Sequence, residues 1–172
     1  MIKRISNNIT QDAAVSLLRK PYNLIFSPKE IIKVELLYMP YYVFESAIDY
    51  SNGKQEIRKV CVDCISGDYA FVKNNDLLVS SEQWQQEKTF QIDADKAMQI
   101  ARKTITAAII LEKSKRTKVE SINTELKFVM EYPYWCGYFQ KKNKLDFEVI
   151  DAVNGVQQGA KMKPTFIKLI MQ

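Results

Sequence analysis

Residues 29–50 read KEIIKVELLYMPYYVFESAIDY, a β-branched and aromatic run far longer than an ordinary strand and broken only by Pro40. Ser51-Asn52-Gly53-Lys54 follows, and then QEIRKVCVDCISGDYAFV over residues 55–72. An Asn-Gly pair between two such runs is a strong hairpin signal. The order returns later in the chain. Residues 124–139, TELKFVMEYPYWCGYF, again set a proline among aromatics, and after a KKNK turn comes LDFEVIDAVNGVQQG, residues 145–159. Met39-Pro40-Tyr41-Tyr42 thus answers Tyr132-Pro133-Tyr134-Trp135, and Val62-Asp63-Cys64-Ile65-Ser66-Gly67 answers Ile150-Asp151-Ala152-Val153-Asn154-Gly155.

Each long run is preceded by a helix signal. Thr10 can cap a helix whose apolar residues Ala13, Ala14, Leu17 and Leu18 fall three and four apart, ending before Pro21. Asp93 or Asp95 can cap a second, with Ala97, Met98, Ala101, Ile105, Ala108 and Ile109 on one face. The expectation is an α+β protein made of two repeated helix-plus-antiparallel-sheet units packed together. They span residues 1–73 and 91–172, with 74–90, polar and containing Trp84, as the connector. Each unit alone is too small to bury its sheet face well.

Alternation places Leu126, Phe128, Met130, Tyr132 and Tyr134 on a buried face of the later long strand, with Glu125, Lys127 and Glu131 opposite. In the earlier strand both parities are apolar, so both faces are expected to be covered. Pro40 and Pro133 lack a ladder donor and are expected at an edge or a bulge. Asp63 and Asp151, each four residues before a glycine, fit strand-ending turns in which the carboxylate accepts from turn amides and Gly67 and Gly155 adopt positive φ.

A helix followed by strands carrying Tyr-x-Pro-Tyr-aromatic, a hairpin, and a strand ending in [VI]-D-x-x-x-G resembles the PepSY-like and cystatin-like α+β families. In them a curved antiparallel sheet packs on a helix. The resemblance implies a binding or regulatory module and carries over no catalytic residue.

Composition narrows the chemistry. The 172 residues are 47% hydrophobic and 26% charged, as in an ordinary globular domain. The N-terminus lacks a continuous apolar segment after its basic residues, and a cytoplasmic protein is expected. With no histidine, Ser-His and Cys-His nucleophiles and histidine metal ligands are excluded. No phosphate-loop, dinucleotide or nucleophile-elbow pattern occurs. Cys61 and Cys64 form a CxxC, but three residues apart in a strand they face opposite sides; with Cys136 they are expected as free thiols, and neither metal nor cofactor is expected.

Two surfaces stand out for binding. Tyr41, Tyr42, Tyr134, Trp135 and Tyr138 cluster around the prolines and can line a groove for a protein or peptide partner, or build core. Lys113, Lys115, Arg116 and Lys118 form one basic cluster, Lys141, Lys142 and Lys144 another. Residues 1–86 hold ten basic and ten acidic side chains, and residues 87–172 fifteen and ten, so the net +5 belongs to the second half. The leading expectation is a non-enzymatic binding or assembly module for a protein or peptide, with homodimerisation through an exposed strand edge as one form. The alternatives are a basic surface for nucleic acid or anionic lipid headgroups, and a small enzyme using a carboxylate or tyrosine acid/base.

Overall fold

The computed structural model describes residues 2–20, 29–72, 79–80, 90–112, 118–141 and 143–172. The chain is α+β, with a mixed sheet and, among the described residues, three α-helices. It divides into two compact units that interleave along the sequence: residues 1–4, 40–131 and 172 form the first, residues 5–39 and 132–171 the second. Both long strands cross from one unit to the other, β2 (Ile31–Tyr50) between Met39 and Pro40 and β6 (Val119–Lys141) between Glu131 and Tyr132.

In the first unit the strand order is β4-β3-β2-β6-β1-β5. Here β1 is Ile2–Ile5, β3 Gln55–Asp63, β4 Tyr69–Val72 and β5 Val79–Ser80. The Asn52-Gly53 hairpin forms as its residues dictate: Gly53 takes φ 76° and β2 pairs antiparallel with β3 from Tyr41–Asp63 to Asp49–Gln55. Helix α2 (Ala94–Leu111) begins at Asp93, whose Oδ1 accepts from the Lys96 amide. Its buried stripe Ala97, Ala101, Ile105 and Ile109 packs on Tyr42, Phe44, Ile48, Val60 and Val62. Each fully buried isoleucine of that stripe contributes about 1.5–3 kcal/mol.

In the second unit β6 pairs antiparallel with β7 (Lys144–Asp151), in a register running from Tyr134–Asp151 to Lys141–Lys144. Helix α1 (Gln11–Arg19), capped by Thr10, packs Ala14 and Leu18 on Trp135, Ile150 and Ala152. It lies close because β6 offers Gly137 there: a Cβ at that position would stand 2.6 Å from Leu18 Cδ1. On the face of β6 that carries Tyr134, helix α3 (Lys163–Ile170) brings Phe166 to 5.0 Å from the Tyr134 ring. A 3-10 turn, Ala160–Met162, leads into it.

Four expectations are corrected. The sheet is not wholly antiparallel: β1 pairs parallel with β6, with Lys3 opposite Met130. That strand also brings Arg4 to Glu131, so Glu131 is 4% exposed instead of facing solvent, its carboxylate 2.6 Å from the guanidinium. Leu126, assigned to the buried face, is exposed. Of the edge or bulge expected for the prolines, the edge is corrected: both lie fully buried in interior strands. The ladder tolerates them because each comes one residue before the first pair of its hairpin, Tyr41–Asp63 or Tyr134–Asp151, so the missing donor falls outside that register.

Candidate functional site

The two hairpins end in the same hydrogen-bonded turn. Asp63 Oδ1 accepts from the amides of Ile65 and Ser66, and Asp151 Oδ1 from those of Val153 and Asn154. Gly67 and Gly155 sit at φ 79° and 76°, each donating back to the aspartate carbonyl. Cys64 N–H donates to Pro40 O and Ala152 N–H to Pro133 O. Cys64 O then accepts from Gln91 and Ile92, and Ala152 O from Asn8 and Ile9, which tethers the segment entering each capped helix.

These bonds account for part of the aromatic cluster. Tyr42 O–H donates to Ile92 O at 3.2 Å and Trp135 Nε1–H to Ile9 O at 2.8 Å, so both buried side chains hold a helix entry. Tyr134 is buried on the Phe166 ring. Tyr41 is half-buried opposite Asp63. Tyr138, also half-buried, donates to Glu35, and burial together with that carboxylate raises its phenol well above the ordinary value. Tyr42, Trp135 and Tyr134 therefore serve the cores of their own units. Lys118, Lys141 and Lys144 are exposed, while Lys113, Lys115, Arg116 and Lys142 lie outside the described residues, as does most of the 74–90 connector. Cys61, Cys64 and Cys136 are buried free thiols; burial pushes Cys61 up to about 12 and Cys136 up to about 11.

After the two turns the hairpins part company. The chain after Gly67 returns along β3 as β4, pairing from Val62–Tyr69 to Lys59–Val72. After Gly155 the chain starts the same way along β7: Asp151 N–H donates to Val156 O, Ile150 bridges Gln157, and Gln158 N–H donates to Val149 O at 2.8 Å. It then leaves at Gly159 for the 3-10 turn and α3.

Where it leaves, a cleft of about 300 Å³ stands between β7 and the first turn of α3. Phe147, Glu148, Gln157, Gln158, Lys163 and Phe166 are among the residues that line it. Since Asp151 and Val149 point their backbone groups away from β6, the two-residue period turns those of Phe147 and Leu145 the same way. The Phe147 amide is met by Asp146 Oδ1 at 2.9 Å. Leu145, next along the edge, is 70% exposed. Lys163 pairs with Asp146 and stands 5.0 Å over the Phe147 ring, and Lys29 pairs with Glu148. Burial works against ionisation of Asp146, but Lys163, the Phe147 amide and Lys141 outweigh it and hold the carboxyl below its usual range.

The edge has the parts of a strand acceptor: outward backbone groups, a half-buried aromatic floor and amide side chains at the rim. Sequence reading missed it because the cleft depends on where the chain departs at Gly159, which no residue of β7 announces.

Comparison with protein-family models, with curated proteins and with solved structures found no match.

Proposed function

We propose that the chain is an internally duplicated, non-enzymatic binding module whose later hairpin takes an extended peptide from a protein partner along the open edge of β7. The duplicated unit is helix, long strand, partner strand and Asp-turn. Each compact unit combines the helix of one copy with the hairpin of the other: α2 lies on β2–β3 and α1 on β6–β7. The matched turn bonds, the matched tethers and the paired roles of Tyr42 and Trp135 support common descent of the two halves.

One observation carries the binding reading. By the turn alignment Phe71 and Val72 of β4 correspond to Gly159 and Ala160, so among the described residues β7 has no counterpart of the strand that completes the edge of β3 where the cleft opens. An added strand has backbone groups to bond and the Phe147–Phe166 floor for one apolar side chain. Among the described residues no helix is long and apolar enough to cross a membrane.

Selection from a displayed library of extended decapeptides, with dissociation constants then read by fluorescence anisotropy, tests this. Leu145→Pro removes one outward amide without touching the ladder to β6, and is expected to weaken selected peptides about tenfold, as loss of one well-placed hydrogen bond does. Leu145→Ala keeps the amide and most of the affinity, and circular dichroism checks that both variants fold. Peptides binding Leu145→Pro as well as wild type, or no selected peptide at all, would contradict the reading.

A further inference from the structure

The charge around the cleft is lopsided. Residues 5–39 and 132–171 together hold ten basic and six acidic side chains, a balance of +4, against fifteen and fourteen in the rest of the chain. Most of the net charge therefore belongs to the unit that contains the open edge.

Several of these cations lie beside the edge itself. Lys141 and Lys144 stand directly opposite each other at the end of the β6–β7 hairpin, both exposed. Like charges placed so destabilise a hairpin. Lys161 is exposed on the 3-10 turn next to the cleft wall. The two carboxylates of the neighbourhood are already engaged, Asp146 by Lys163 and Glu148 by Lys29. With its own carboxylates paired and Lys141, Lys144 and Lys161 exposed around it, the site favours a ligand that is apolar in the middle and anionic on its flanks.

From this we infer that the peptide is acidic: an extended segment with one apolar residue for Phe147 and Phe166 and Asp or Glu on either side, meeting the exposed Lys141, Lys144 and Lys161. The inference rests on the peptide reading of the β7 edge. Carboxylates opposite Lys141 and Lys144 offset the repulsion built into the hairpin, and because these lysines are exposed, the gain weakens with salt.

Three labelled decapeptides sharing one apolar centre and differing only in flanks of Asp and Glu, of Ser, or of Lys decide the matter by fluorescence anisotropy. At low salt the acidic peptide is expected to bind about tenfold more tightly than the Ser peptide, the sum of a few exposed ion pairs. Lys141→Glu with Lys144→Glu should erase that preference while leaving the Ser peptide unchanged. Equal binding of acidic and Ser peptides, both still weakened by Leu145→Pro, overturns the acidic inference and keeps the peptide reading. Failure of all three overturns the reading itself. A single-stranded oligonucleotide that binds tightly and is indifferent to Leu145→Pro would make the lysines a polyanion surface, and would overturn the inference as well.

Discussion

The strand edges after Gly67 and after Gly155 begin with the same bonds and end differently. Along β3 the sequence Tyr69-Ala70-Phe71-Val72 supplies strand-forming residues, and β4 runs for four of them. Along β7 the corresponding Gln157-Gln158-Gly159-Ala160 supplies none, and pairing stops after a single bridge. The lesson is that an identical turn fixes the direction of the returning chain but not its length. A short change of β-propensity after it decides whether the returning chain closes the edge, as it does along β3, or, among the described residues, leaves it open, as along β7.

The comparison breaks if the two turns are not equivalent in energy. Asp63→Ala and Asp151→Ala each strip a buried carboxylate from two backbone amides, and each is expected to cost about 2–4 kcal/mol of unfolding free energy in urea titration. A large loss for one and a negligible loss for the other would argue against a shared device.

A smaller effect sharpens it. Tyr42→Phe orphans the buried carbonyl of Ile92, and Trp135→Phe removes the indole bond to Ile9 O, which keeps only the side-chain amide of Asn7; each should cost about 1–3 kcal/mol, with lost indole volume adding to the second. Amide exchange near the N-termini of α2 and α1 should quicken in the matching variant.

The least effect concerns the open edge alone. Because the folded Asp146 carboxyl titrates below its ordinary value, the stability it contributes is present above the unfolded pKa, about 3.9, and is lost as pH falls through the lower folded value. Wild type and Asp146→Asn should therefore differ in thermal midpoint at pH 6 and converge as the pH drops below about 4. A difference that persists in acid would show that Asp146 acts by packing.

Much of the fold is legible in short-range chemistry. The Asn52-Gly53 hairpin, the caps at Thr10 and Asp93, and the Asp63 and Asp151 turns are local devices in which neighbouring residues satisfy each other, and all form. What escapes reading depends on partners far along the chain. Ile2–Ile5 carries two charges in four residues and becomes a strand only by pairing with β6, and burial of Glu131 follows from Arg4 arriving with it. Pro164 sits in the first turn of α3, where its missing amide costs nothing. Whether Trp135 builds core or lines a groove is open in the sequence, because its partner Ile9 O is 126 residues away.

Amide hydrogen exchange of Leu145 and Phe147, followed by NMR with and without a selected peptide, tests the central claim most directly. Strand addition predicts that exchange at these two amides slows by about tenfold or more on binding, while Tyr69–Val72, already in the sheet, does not change. Unchanged exchange at Leu145 and Phe147 with the peptide bound would contradict it.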